Sequence, residues 1–328
     1  MNIDRGKESY TPADVEAVRQ RLVEHKTYES LSWPALAKAI GDVADSTLSG
    51  FAGGKYAGDN QLVAWKVNRY FLAEEMRREE ALLAPVVPDF CMTRTARTIM
   101  GQLRWAHGGE MAAIVGNPGM SKTSTFEEYC RVTPNAFIAT MNPTTRAVQP
   151  MLQEILRAAG GLGKAAVAHT LFAILCERLK GARALIIVDE AQHLTDVALD
   201  QLRAIHDRLK CGIVLAGNAT VLTRVQGGAR QADFAQLSSR VSWSQSYLKP
   251  YAEDVGVLLD AWGVTNDRER EFLGKVAEQP GALRLMTQVL KLATLAARAD
   301  DDDRTLSHLR AAEKQLQHRP TFAVGAAA

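Results

Sequence analysis

Near the end of the stretch AAIVGNPGMSKTS (residues 112–124) an ammonium and a hydroxyl stand side by side, Lys122 and Thr123. A lysine in that place reaches the outer phosphates of a bound polyphosphate, and a threonine hydroxyl next to it can ligate magnesium. The residues before them supply the rest of such a site. Gly116 ends an apolar run, Asn117, Pro118, Gly119 and Met120 make a short loop, and Ser121, Lys122, Thr123 and Ser124 open a helix. Successive backbone N–H groups of the loop and the helix N-terminus converge on anionic oxygens. The usual pattern has glycine where Ser121 stands. Gly116 and Gly119 can take the sharp parts of the turn, and Ser121 is expected at the helix start with negative φ, where a Cβ is tolerated and the N–H stays available. A glycine turn with a merely structural lysine is the plainer alternative, opposed by the strand before it and the helix after.

The apolar run in ALIIVDEAQHL ends on Asp189 and Glu190, two carboxylates at the carboxyl end of a strand, where open α/β sheets bind ligands. Asp189 would hold magnesium through its water shell, and Glu190 would orient and polarise an attacking water. Alone, an Asp-Glu pair is often a solvated strand end; with a phosphate loop upstream it points to nucleoside triphosphate hydrolysis. Asn218, at the end of GIVLAGN, can place water between the γ-phosphate and Glu190, or serve only as a turn residue. Arg240, in FAQLSSRVSW, and Arg284, in QPGALRLM, follow at a spacing that favours AAA+ organisation over kinase or small GTPase folds. There, one arginine acts across a subunit interface and another acts on the nucleotide from a lid.

The elements needed to hold these groups are visible as alternation. The segments EMAAIVG, NAFIAT, ALIIVDE and GIVLAGN are apolar strands separated by helices, the pattern of a parallel sheet covered on both faces. The fold class is therefore α/β, an AAA+ phosphate-loop ATPase core over 93–247 with helices before and after it. A small helical domain is expected over 248–318 and a frayed tail over 319–328. Residues 81–92, with Pro85 and Pro88, read as a linker. Over 1–80, Thr11 and Ser32 are candidate helix caps, and Leu48 and Phe51 are the buried positions of a third helix. Two short helices joined by a glycine-containing turn fit a helix-turn-helix, with Ser46 and Thr47 presented to DNA; a small helical bundle fits equally. Composition adds bounds. The 328 residues are 47% hydrophobic and 23% charged, as in ordinary soluble proteins, and a net charge of +2 does not by itself argue for nucleic acid. Four cysteines without metal-ligand spacing read as buried thiols, and the charged N-terminus and lack of any apolar span imply a cytoplasmic protein with no membrane role.

Taken in order, STLSGFAGGKYAGDN, GNPGMSKT, IIVDEAQHL, LAGN, VQGGARQADFAQLSSRV and QPGALRLM are similar to the MuB family of phage transposition proteins, and the resemblance runs from about residue 12 to 316. The resemblance implies an AAA+ ATPase using ATP and Mg2+, an N-terminal helix-turn-helix, and helical filaments on double-stranded DNA that select a target and stimulate a transposase. It implies Lys122 and Thr123 as phosphate and magnesium residues, Asp189 and Glu190 as the acidic pair, Asn218 as first sensor, Arg240 as finger and Arg284 as second sensor. Ser121 is its departure, and bears on hydrolysis rate more than on binding. Thr144, Thr145 and Arg146, in TMNPTTRAVQP, are candidates for sequence-blind DNA phosphate contact, with a helix cap as the alternative. Lys38 and Lys55 are candidates on the same footing. Two other functions share the nucleotide site, a replication helicase loader and a signalling ATPase switched by nucleotide without DNA.

Overall fold

The computed structural model describes residues 10–83, 85–161, 166–225 and 236–317. The double glycine of the VQGGARQADF segment and the expected frayed tail lie outside the described residues. The chain divides into two compact units, Met1–Ala84 and Pro85–Ala328.

The first unit is helical. Its helices are α1 (Pro12–Tyr28), α2 (Trp33–Ile40), α3 (Asp45–Ala52) and α4 (Asn60–Leu83). Thr11 and Asp14 form a reciprocal capping box at the start of α1, Ser32 caps α2, and Gly41 ends α2 at φ 73°. Leu22, Leu36, Leu48 and Phe51 are fully buried in its core. Lys38, Ser46 and Lys55 are exposed and Thr47 is half-buried.

The second unit is built on a five-stranded parallel sheet in the order β2-β3-β4-β1-β5. The strands are β1 (Met111–Gly116), β2 (Ala136–Thr140), β3 (Leu185–Asp189), β4 (Gly212–Gly217) and β5 (Val241–Tyr247). Around them lie α5 (Arg94–His107), α6 (Lys122–Val132), α7 (Val148–Ala158), α8 (Ala168–Leu179), α9 (Asp196–Leu209) and α10 (Ala219–Val225). The three middle strands are buried throughout because alternate residues feed opposite layers. Ile186, Val188, Ile213 and Leu215 pack with α7, α8 and α9, while Leu185, Ile187, Val214 and Ala216 pack with α5 and α6. β5, an edge strand, was absent from the sequence reading. Its outward residues Ser242, Ser244 and Ser246 are exposed, so it lacks the apolar run of its neighbours.

Among the described residues, four helices follow the sheet in this unit: α11 (Ala252–Ala261), α12 (Asp267–Ala277), α13 (Ala282–Ala299) and α14 (Leu306–Gln317). Their shared core includes Leu273, Met286, Val289 and Leu309. Asp254, fully buried on α11, joins them to α5 by accepting from the Thr95 N–H at 3.0 Å and the Thr95 hydroxyl at 2.5 Å. Among the described residues no helix is long and apolar enough to cross a membrane.

Candidate nucleotide site

The phosphate loop leaves β1 at Gly116, squeezed against the last residue of β5. A Cβ on Gly116 would lie 2.4 Å from the Tyr247 carbonyl oxygen, so only glycine fits. The same carbonyl accepts the Asn117 N–H at 3.0 Å, and the Asn117 amide donates to the Leu248 carbonyl at 2.8 Å. Gly119 stands at φ 84° with its missing Cβ directed at the Gly281 carbonyl, 1.8 Å from where that atom would sit. The start of α13 therefore rests on the loop itself.

Ser121 corrects the sequence reading. It is the N-cap of α6 at φ 55° and ψ 21°, a left-handed conformation rather than the negative φ expected. That explains why the usual pattern has glycine there, and it means the serine carries backbone strain. Its N–H still follows the loop, and its carbonyl accepts from Thr125 N and Thr125 Oγ1 at 3.0 and 2.6 Å.

Lys122 folds over the loop, its Nζ donating to the Gly116 carbonyl at 2.7 Å and the Asn117 carbonyl at 3.0 Å. Burial lowers its pKa, the Asp189 and Glu190 carboxylates oppose that shift, and Arg284 adds to it. Thr123 donates its hydroxyl to Asp189 Oδ2 at 2.8 Å, and Asp189 Oδ1 accepts the Glu190 N–H at 2.9 Å. Asp189 is buried, whereas Glu190, at φ 56°, turns an exposed carboxylate toward the cavity. Asn218 uses its side-chain oxygen to accept the Thr220 N–H at 2.9 Å, so the turn role is real. Its residue also lines the cavity, together with Lys122, Glu190 and, from the third position of α13, Arg284.

That cavity, about 570 Å³, has walls the sequence reading did not assign. Val87, Pro88 and Cys91, read as linker, form one side; Leu258, Trp262 and Lys291 of the C-terminal helices form another. A proline-rich approach to a core gives no periodic signal, so its role is visible only in three dimensions. Gln192, also missed, contacts both Glu190 and the backbone of Asn218.

Arg240 is not in the cavity. It precedes β5, whose Val241 is in register with Met111 at the start of β1, while Tyr247 is in register with Gly116. Arg240 thus lies at the opposite end of the sheet, roughly 16 Å along the strands from the loop. Its Nε donates to Asp207 at 3.0 Å and its side chain is 47% exposed. This hydrogen bond, helped by Arg203, holds the Asp207 carboxyl below its ordinary pKa.

The expected DNA residues separate too. Asn142 caps a short 3₁₀ turn, Pro143–Thr145, that follows β2. Thr145 is buried and is not the cap: as the third residue of the turn it completes the capping box, its hydroxyl accepting the Asn142 N–H at 2.8 Å. Thr144 also bonds Asn142, through its hydroxyl at 2.6 Å, but remains exposed, as does Arg146. Of the four cysteines expected as buried thiols, only Cys211 is buried, while Cys91, Cys130 and Cys176 are half-buried; burial pushes Cys130 up to about 11 and Cys211 up to about 12. No group of three His, Cys, Asp or Glu side chains suited to a metal exists among the described residues.

Comparison with known proteins agrees with this geometry. Residues 106–225 match the AAA domain family, and residues 239–316 match the family described as Mu B transposition protein, C terminal. The chain is 32% identical over 305 residues to the ATP-dependent target DNA activator B of Escherichia phage Mu, covering 93% of this chain and 95% of that one. It is 30% identical over 271 residues to the Mu-like prophage FluMu DNA transposition protein B of Haemophilus influenzae, covering 82% and 93%. Among solved structures, Cdc6p from Pyrobaculum aerophilum superposes with a TM-score of 0.53 at 17% identity, over 72% of this chain and 70% of that one. Drosophila ORC bound to DNA superposes with a TM-score of 0.51 at 16% identity, over 72% and 64%. These two share the fold. Identity sustained over nearly the whole length of the phage Mu protein goes further, and the chain belongs to the phage Mu B transposition protein family of AAA+ ATPases.

Proposed function

We propose that this protein binds ATP in the cavity over the phosphate loop, assembles on double-stranded DNA in the host cytoplasm, and there activates that DNA as a target for a transposase. The observation that carries the reading is one cavity lined by the 116–124 loop, Glu190, Asn218 and Arg284, in a chain that aligns over 93% of its length with an ATP-dependent target DNA activator. Lys122 and the N–H groups of 119–124 hold the phosphates. Thr123 and Asp189, a hydroxyl and a carboxylate already 2.8 Å apart, fit magnesium. That ion, when bound, neutralises charge on the transferred phosphoryl group. Glu190 orients and polarises the attacking water, Asn218 helps to place it, and Arg284 brings positive charge from the C-terminal helices. Arg240 cannot reach the cavity of its own chain, which supports a role on the γ-phosphate of a neighbouring subunit in a homo-oligomer or filament.

DNA contact is read as phosphate contact, from Thr144 and Arg146 in the second unit and from Lys38, Ser46, Thr47 and Lys55 on a helix-turn-helix in the first. The test is ATP turnover measured with and without duplex DNA across a range of salt. DNA should stimulate turnover, and binding should weaken with a logarithmic slope near −0.9 per neutralised phosphate and little dependence on sequence. Turnover indifferent to DNA would sink the DNA-activating role and leave a nucleotide switch.

A further inference from the structure

Gln192 bridges two groups that the hydrolysis reading treats separately. Its Nε2 donates to the Glu190 carboxylate, and its Oε1 accepts the Asn218 N–H at 3.4 Å. Glu190 follows β3 and Asn218 follows β4, and these strands are neighbours in the sheet. A carboxylate can only accept and a backbone N–H can only donate, so this orientation of the amide is the one that satisfies both ends. The fold also keeps space for it. A Cβ on Gly217, the last residue of β4, would lie 2.2 Å from Gln192 Oε1 and 2.8 Å from Val221 Cγ2. Glu190 itself is held at φ 56°, a conformation that persists where its surroundings define it.

We propose that Gln192 is a positioning residue for ATP hydrolysis: its amide aims the exposed Glu190 carboxylate at the attacking water and ties that aim to the end of β4. The proposal rests on Glu190 as the group that orients the water. An untethered glutamate has three rotatable side-chain bonds and occupies the productive direction only part of the time. The loss therefore falls on the chemical step, and the phosphate contacts that set affinity are untouched.

The test uses the full-length protein with duplex DNA present, measuring steady-state ATP turnover, binding of a fluorescent ATP analogue and thermal unfolding. Gln192→Ala should lower kcat by about 10–100-fold with nucleotide affinity within about threefold of the parent and an unchanged melting curve. Gln192→Glu keeps the length and shape of the side chain but has no proton to donate, and should fall at least as far. Gly217→Ala should displace the amide and reproduce the loss, and Gln192→Ala combined with Gly217→Ala should be no slower than the slower single variant. A kcat within about twofold of the parent in either Gln192 variant, a loss confined to KM, or losses that multiply in the double variant would each overturn the proposal. Glu190→Gln separates the levels. If it is inactive while Gln192→Ala is fully active, this inference alone fails; if it still turns over ATP, the assignment of Glu190 fails first.

Discussion

Replacing Ser121 by glycine asks whether the phosphate loop is already set for its ligand. Ser121 is held at φ 55°, where an L side chain costs about 1–2 kcal/mol and glycine very little. The conformation is pinned from the next turn: the Ser121 carbonyl accepts from the Thr125 N–H at 3.0 Å, Thr125 Oγ1 at 2.6 Å and Ser124 Oγ at 3.0 Å. Glycine relieves the native strain but enlarges the unfolded ensemble, an offset of about 0.4–1 kcal/mol. The net change in stability is therefore expected between zero and about +1.6 kcal/mol. Affinity should move less. If the loop has the same shape free and bound, the strain is present in both states and cancels, leaving ATP binding within about threefold of the parent. Thermal unfolding and titration with a fluorescent ATP analogue measure the two quantities. Ser121→Val, a β-branched side chain at the same φ, should destabilise the protein by about 2 kcal/mol. A gain in ATP affinity above about tenfold in Ser121→Gly, or 1.4 kcal/mol, would show that the loop is reshaped on binding and would refute the argument.

Lys122→Ala should abolish ATP-dependent assembly while barely altering unfolding without nucleotide, because the ammonium bonds only two loop carbonyls and no core group; retained assembly, seen by electron microscopy, would count against the whole scheme. Asp254→Ala should destabilise the second unit by roughly 2–4 kcal/mol, since it strips the acceptor from the buried N–H and hydroxyl of Thr95 and from the Tyr251 N–H at 3.1 Å; denaturant unfolding gives the value, and a loss below about 1 kcal/mol would mean water replaces the carboxylate. Glu190→Gln should bind ATP without turnover and form assemblies on DNA that persist after dilution, whereas Arg240→Ala should hydrolyse slowly and assemble poorly. Mixing these two should restore part of the ATPase activity if the site is shared between subunits; no recovery at any ratio, with co-assembly demonstrated, would remove Arg240 from the neighbouring site.

Much of the site was legible because its chemistry is local in sequence. The phosphate loop needs a strand, a short glycine loop and a helix in succession, and 112–124 carries all three, so Lys122 and Thr123 were readable without coordinates. Asp189 and Glu190 were readable because an apolar run of strand length can end on carboxylates only where the sheet meets solvent or a ligand. Arg284 was read near the start of a helix in QPGALRLM, and the structure puts it there and on the cavity wall. Caps followed the same logic: Thr11 and Ser32 announce α1 and α2 by side-chain oxygens placed before a proline-led helical turn.

What escaped the sequence depends on approach between distant segments. β5 alternates serine with half-buried residues because one face meets solvent, so hydropathy alone could not separate it from a loop. Yet its last residue is what demands glycine at 116 and holds Asn117, and its first follows Arg240. Ser121 looked harmless because residue type does not report φ; the left-handed turn is imposed by the loop and by the bonds to its carbonyl. Gln192 was read past for a related reason. A glutamine after Asp-Glu is ordinary surface composition, and its significance comes from Gly217, whose missing side chain leaves the amide its place between two strand ends. For β5 and for Gln192 alike, a glycine far along the chain, Gly116 and Gly217, marks where backbone or side chain must approach closely, and that requirement becomes readable once the neighbouring strand is known.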